Sequence, residues 1–320
     1  MLIRSLPFLL FALPAHAQSL TIVTDIPPLA AIASAVVGPD VEVRALLPQG
    51  GSPHDFAMRP SDARMLHGAD VVFWSGEGMS PWMAQALENL DGETIIIEAF
   101  DTNGWTPLPL RDLESIGQVE KHEEHEHEED HADDHTHEED DDHGHDHGDF
   151  DPHAWLSPLN AAAWAETLAD VLTQNNLAGV EVSANAQTFA MEMGGLETAL
   201  KAEAEKLRGK GYLVSHDSFQ YLETALDLPA SGAIALSDAS ASGPAHIAVL
   251  KEQVVAQGIS CILTDPQSNP DLATLVAEGT DAKIAMVNPL GNAELTGAEY
   301  YRALLGGILV TLAECTGATN

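Results

Sequence analysis

The chain has 320 residues and a formal net charge of −37, from 50 acidic against 13 basic side chains. A surface of that sign repels nucleic acid and anionic lipid and gathers cations, which excludes polyanion binding. The length suits two domains of about 150 residues each.

Arg4, the apolar run from Leu6 to Leu13 and the small-x-small triplet Ala15-His16-Ala17 read as a secretory signal over residues 1–17, cut before Gln18. No later apolar run approaches the roughly 20 residues that span a bilayer. The mature chain is therefore expected to be exported, without direct membrane insertion. In an oxidising compartment the two cysteines, Cys261 and Cys315, are most simply a disulfide. The competing reading is a pair of free thiols serving as soft metal ligands.

From Ser19 the chain alternates strand-like and helix-like segments. Ser19–Thr24 is a β-rich run, followed by an Ala-rich helix ending at Gly38. Val41–Leu46 is the next strand, and it leads into the turn-rich stretch Pro48-Gln49-Gly50-Gly51-Ser52-Pro53-His54. A helix from Ser61 to His67, a strand Val71–Trp74, a helix from Pro81 to about Leu90 and a strand Thr94–Glu98 follow. Such alternation predicts parallel βα units.

Between Val119 and Asp149 the composition changes abruptly. This run holds sixteen carboxylates, one lysine and nine histidines: His122, His125, His127, His131, His135, His137, His143, His145 and His147. It cannot bury apolar surface and is expected to stay solvated and largely unfolded. Charge alone would make it a solvating tail, but imidazole is the commonest side-chain metal ligand. In extended chain, pairs such as His125/His127 and His143/His145 lie roughly 6.5–7 Å apart on one side, suited to weak chelation.

Beyond the run, Asn160–Asn175 is a helix, and Val182 to Leu207 repeats apolar residues at spacings of three and four. That is one helix of about 26 residues, about 39 Å long, suited to a strut between domains. Gly194-Gly195 in its middle predicts a kink or a close packing contact. Strands Gly211–Ser215, Ala230–Leu236, Ile259–Thr264 and Lys283–Val287 then alternate with helices Ser218–Leu226, Pro244–Gln257, Leu272–Gly279 and Ala298–Glu314. The organisation expected is a signal at 1–17, an N-terminal βα domain at 18–180 containing the loop 119–149, a linking helix at 181–209 and a C-terminal βα domain at 210–320.

Open α/β sheets bind ligands at the carboxyl ends of their strands. Among the histidines outside the run, His54, His153 and His216 meet that condition, in different βα units 99 and 63 residues apart. Three histidines leave one coordination position open. His67, at a helix end, and His246, in the first turn of a helix and expected to be exposed, do not meet it.

At these residues the chain resembles a known family. Gly51-Ser52-Pro53-His54-Asp55-Phe56 with Arg59-Pro60-Ser61-Asp62, then Asp151-Pro152-His153-Ala154-Trp155-Leu156-Ser157-Pro158, then Ser215-His216-Asp217-Ser218-Phe219-Gln220-Tyr221 are similar, in order, to three motifs of the zinc-uptake solute-binding proteins of ABC transporters, the ZnuA type. Asp265-Pro266-Gln267 and Asn288-Pro289-Leu290-Gly291 are similar to later segments of that family. The resemblance implies an α/β fold of two pseudo-symmetric βα domains with parallel sheets, joined by one long rigid helix. It implies Zn²⁺ in the cleft between them on His54, His153 and His216, and it supports the disulfide. Asn288 stands where many relatives carry aspartate. An amide is a poor zinc ligand, so water is expected in the fourth position, with a histidine or carboxylate of the run as the alternative.

The function expected is periplasmic capture of Zn²⁺ and delivery to an inner-membrane ABC permease, by a monomer, with the run as accessory collector. A free-standing zinc buffer or metallochaperone and a manganese carrier are the alternatives. A zinc hydrolase is disfavoured, because neither Glu77 nor Asp217 sits in a hydrolase motif such as H-E-x-x-H.

Overall fold

The computed structural model describes residues 20–90, 92–113, 116, 150–236 and 243–318. The signal segment 1–17 and the nine histidines of the loop lie outside the described residues.

Prolines punctuate the chain. Six helices open on one, at Pro27, Pro60, Pro81, Pro158, Pro244 and Pro270. There the missing N–H costs nothing and the fixed φ suits the first turn. The first half runs β1 (Thr21–Thr24), α1 (Pro27–Val37), β2 (Glu42–Ala45), α2 (Pro60–His67), β3 (Val71–Trp74), α3 (Pro81–Leu87) and β4 (Ile95–Glu98). After the loop come α4 (Pro158–Gln174) and α5 (Glu181–Ala204). The second half runs β5 (Tyr212–His216), α6 (Gln220–Leu226), β6 (Gly232–Ala235), α7 (Pro244–Gln257), β7 (Cys261–Thr264), α8 (Pro270–Ala277), β8 (Lys283–Met286) and α9 (Gly297–Thr316). Elements fall within a few residues of those read from the sequence. The start of α8 was misplaced at Leu272, because the Asn269 side chain accepts from Asp271 N and caps the helix earlier.

Each half forms a four-stranded parallel sheet, in the orders β2-β1-β3-β4 and β6-β5-β7-β8. The strand order reverses between the first and third strand of each half, which opens a crevice at their carboxyl ends. A matching polar bridge closes that point in both sheets. Asp25, just past β1, accepts from Ser75 N at 3.0 Å and Ser80 Oγ at 2.7 Å. In the second sheet the roles swap: Ser215 in β5 donates to Asp265, just past β7, at 2.7 Å. Burial pushes the Asp25 carboxyl above its ordinary range despite those hydrogen bonds.

The long helix α5 joins the two halves. One contiguous apolar core runs from Ile22 and Val71 of the first sheet, through Phe189 and Met193 of α5 and Tyr301 and Leu305 of α9, to Val214 and Leu263 of the second. The outer faces are covered separately, by α2 and α3 on one sheet and by α7 and α8 on the other. Because the shared core crosses the junction, the halves resist a wide hinge. Cys261, opening β7, is disulfide-bonded to Cys315 in the last turn of α9. Gly194 and Gly195 serve no close packing, since an added Cβ would meet nothing within 4 Å at either, and α5 continues through them. No helix among the described residues is long and apolar enough to cross a membrane.

Candidate metal site

His54 sits on the loop that leaves β2. Gly51 N donates to Pro48 O and Trp82 Nε1 donates to Pro53 O at 2.7 Å, so the loop is held against α3 just before the histidine. His153 follows the far end of the 119–149 loop, whose stem is drawn together by a bridge between Pro109 and Phe150 and by Asp151 N donating to Leu108 O. Tyr221 of α6 pins both strands of that stem, donating to Asp151 O and accepting from Leu108 N, each at 2.9 Å. His216 ends β5 itself, one residue further into the strand than the sequence pattern suggested.

The three rings converge. The centroid of His153 lies 5.3 Å from that of His54 and 5.4 Å from that of His216. The Nε2 atoms of His54 and His153 are 3.3 Å apart. Two nitrogens on one tetrahedral zinc, each about 2.0–2.1 Å from it, stand about 3.3–3.4 Å apart. His153 and His216 are buried, at 4% and 3% exposure, while His54 is half-buried. Among the described residues no three His, Cys, Asp or Glu side chains are already closed around one point as metal ligands. The His54–His153 pair is thus formed, and His216 faces it from the other half.

Two buried carboxylates orient the rings. Asp151 Oδ1 lies 2.7 Å from His153 Nδ1 and also accepts from His153 N. Asp265 Oδ2 lies 3.0 Å from His216 Nδ1 and accepts from the hydroxyls of Ser215 and Ser268. Burial alone would raise the Asp265 carboxyl, but bonds from His216, Ser215 and Ser268 hold it well below the ordinary carboxylate range. A carboxylate accepts only, so each Nδ1 carries a proton, and in the neutral ring each Nε2 then presents its lone pair, the tautomer a metal requires.

The space at the rings is small, about 10 Å³, bounded by the three histidines, Trp155, Gln267 and Leu290 among others. It is of ion size and has room for no organic ligand. A larger cavity, about 340 Å³, adjoins His54 and His153 beside Arg111, Asp151, Asp217 and Leu236. Asn288 does not face the rings as a ligand would. Its Oδ1 accepts from Leu290 N and its Nδ2 donates to Gly291 O, so both ends of the amide close their own turn.

The remaining histidine and cysteine readings separate cleanly. The Cys261–Cys315 bond removes thiols from the ligand list. His67 is exposed at the end of α2. His246, expected to be exposed, is half-buried, with Nε2 3.0 Å from Ala233 O, because α7 packs its first turn on β6. Asp217, weighed as a general base, is ion-paired with Arg111, which also reaches Glu223 at 2.8 Å. Arg111 and Glu223 were not singled out from the sequence, and Tyr221 and Gln267 stood in the resembling motifs without a role of their own. Of the orienting pairs only Asp151 with His153, two residues apart, carries a local signal.

A family model described as zinc-uptake complex component A, periplasmic (ZnuA), matches residues 22–315. The chain belongs to the ZnuA family. The matched span contains all three converging histidines and both cysteines. The high-affinity zinc uptake system protein ZnuA of Paracoccus denitrificans is 34% identical, over 96% of this chain and 95% of that protein. The ZnuA protein of Brucella abortus is 30% identical, over 92% of this chain and 91% of its own. Among solved structures, a Zn(II)-bound variant of AdcAII from Streptococcus pneumoniae superposes with a TM-score of 0.69 at 21% identity, covering 92% of this chain and 99% of that one. That likeness shows the shared fold, two parallel sheets bridged by a long helix, at low identity.

Proposed function

We propose that this protein captures Zn²⁺ in the periplasm on His54, His153 and His216 and delivers it to the inner-membrane permease of an ABC transporter. The observation that carries the reading is the meeting of three histidines from both halves around an ion-sized space, two of them already at the nitrogen separation of a tetrahedral zinc site. Zinc is the cargo named for the Paracoccus and Brucella relatives. An all-imidazole set favours it over manganese, which suits carboxylates better. Closing His216 onto the His54–His153 pair would bias the relative position of the two halves, and a permease can read that difference. The shared core through α5 and α9 keeps the movement small. Water completes the tetrahedron, because Asn288 is committed to its own turn.

The acid and histidine run of residues 119–149 serves as a collector. It enters and leaves the fold at a stem that Tyr221 fastens beside His153. A tethered weak site at that point raises the local zinc concentration at the cleft.

Zinc titration of the full-length protein and of a variant lacking residues 119–149 tests both parts. One tight equivalent is expected in each, with further weaker equivalents in the full-length protein alone. Equal stoichiometry in both would sink the collector. Absence of a tight equivalent from both, or its ready displacement by Mn²⁺, would sink the zinc-capture reading itself.

A further inference from the structure

Gln267 stands in the turn after β7 and borders the small space shared by the three histidines. Its backbone is fixed, because Asp265 Oδ1 accepts from both Gln267 N and Ser268 N, at 2.9 and 2.8 Å. Its side-chain Nε2 donates to Gly51 O at 3.3 Å, reaching across to the loop that carries His54. A carbonyl can only accept, so the NH₂ end of the amide must point at Gly51 and the oxygen must point the other way. Oε1 is buried and has no hydrogen-bond partner among the described residues. A buried acceptor left without a donor is unfavourable, and in native proteins it usually marks a place where a ligand or water completes the network.

The donors already present do not meet that need. No donor among the described residues reaches Oε1, and with zinc bound the ring nitrogens that face it give lone pairs and no proton. A zinc-bound water would supply two O–H donors beside three nitrogen ligands.

Resting on the zinc reading above, we propose that Gln267 Oε1 accepts a hydrogen bond from the water that completes the zinc tetrahedron. Gln267 is then a positioning residue. Its oxygen holds the fourth ligand while its nitrogen holds the His54 loop, so one side chain of the second half registers both the cargo and the first half.

The test compares wild type with Gln267→Met, which loses both amide ends at similar length, and Gln267→Glu, which keeps an oxygen acceptor. The Met variant is expected to bind zinc at least about tenfold more weakly, the usual effect of removing a group that orients a metal's ligands. The Glu variant keeps the acceptor but loses the bond to Gly51 O, so it should weaken zinc binding clearly less than the Met variant. The thermal midpoint of the metal-free Met variant should stay near wild type, because removal of the unpartnered acceptor offsets the lost bond to Gly51 O. With Co²⁺ as the spectroscopic probe, the pH at which bound water ionises should fall in the Met variant, because the carbonyl that favoured water over hydroxide is gone. Equal weakening in the Met and Glu variants, or Met-variant affinity within twofold of wild type, would overturn the assignment while leaving zinc capture standing. A wild-type protein without a tight zinc site would remove both together.

Discussion

Replacing His153 by alanine should weaken zinc binding by about 10²- to 10³-fold. Protein zinc sites of four ligands are worth about 10–16 kcal/mol, so one ligand carries about 2.5–4 kcal/mol. His153 is the residue to remove, because its ring is adjacent to both of the others, with centroids at 5.3 and 5.4 Å. Its Nδ1 is also tied to the buried Asp151, so the ring is held in a fixed orientation toward the other two. Asp151→Asn keeps the shape but presents an amide to Nδ1, and should cost a smaller factor, about 10- to 100-fold. His67→Ala, at an exposed helix end, should change nothing. Competition against a chromophoric chelator reads all three, and a His153→Ala protein within about threefold of wild type would remove it from the ligand set.

The second large effect concerns stability. Arg111 lies on the N-terminal side of the 119–149 loop and makes ion pairs with Asp217 and Glu223 of the second half, where both carboxylates are buried. Burial works against the Arg111 charge, yet hydrogen bonds from its guanidinium to Asp217 and Glu223 hold it firmly protonated. Arg111→Met would leave those carboxylates without their cation, and breaking a buried pair from one side costs about 3–5 kcal/mol. Urea denaturation of the metal-free protein should show that loss. Arg44→Met, which breaks only the exposed pair with Glu42, should cost less than about 1 kcal/mol. The Glu223 carboxyl is already pushed upward by burial despite Arg111, so Glu223→Gln should cost much less than Arg111→Met. Similar midpoints for Arg111→Met and Arg44→Met would show that the cross-half cluster contributes little.

Much of this architecture is legible in the sequence because its signals are local. Val71–Trp74 is a bare apolar strand, Pro81 and Pro244 announce the starts of their helices, and α5 repeats at helical spacing over its whole length. His54 and His216 stood out by position at strand ends and His153 where the acidic run rejoins ordered chain, and their motifs carried the family resemblance before any fold was drawn. What escaped depends on pairs distant in sequence. Asp265 and His216 are 49 residues apart, Arg111 and Asp217 are 106 apart, and Gln267 meets Gly51 across 216. No periodicity encodes those meetings, since they follow only from how the two sheets face each other. His246 failed for the same reason: a helix first turn looks solvent-facing until the strand beneath it is placed. Asn288 was flagged as a departure, but only its turn geometry shows where both ends of its amide go.

Zinc K-edge X-ray absorption on the protein lacking residues 119–149, loaded with one equivalent of zinc, tests the central claim most directly. A four-coordinate ion with three imidazole nitrogens and one oxygen at about 2.0–2.1 Å is expected, with loss of imidazole scattering when His54, His153 and His216 are replaced together. A shell dominated by carboxylate oxygen, or an imidazole signal that survives the triple replacement, would contradict it.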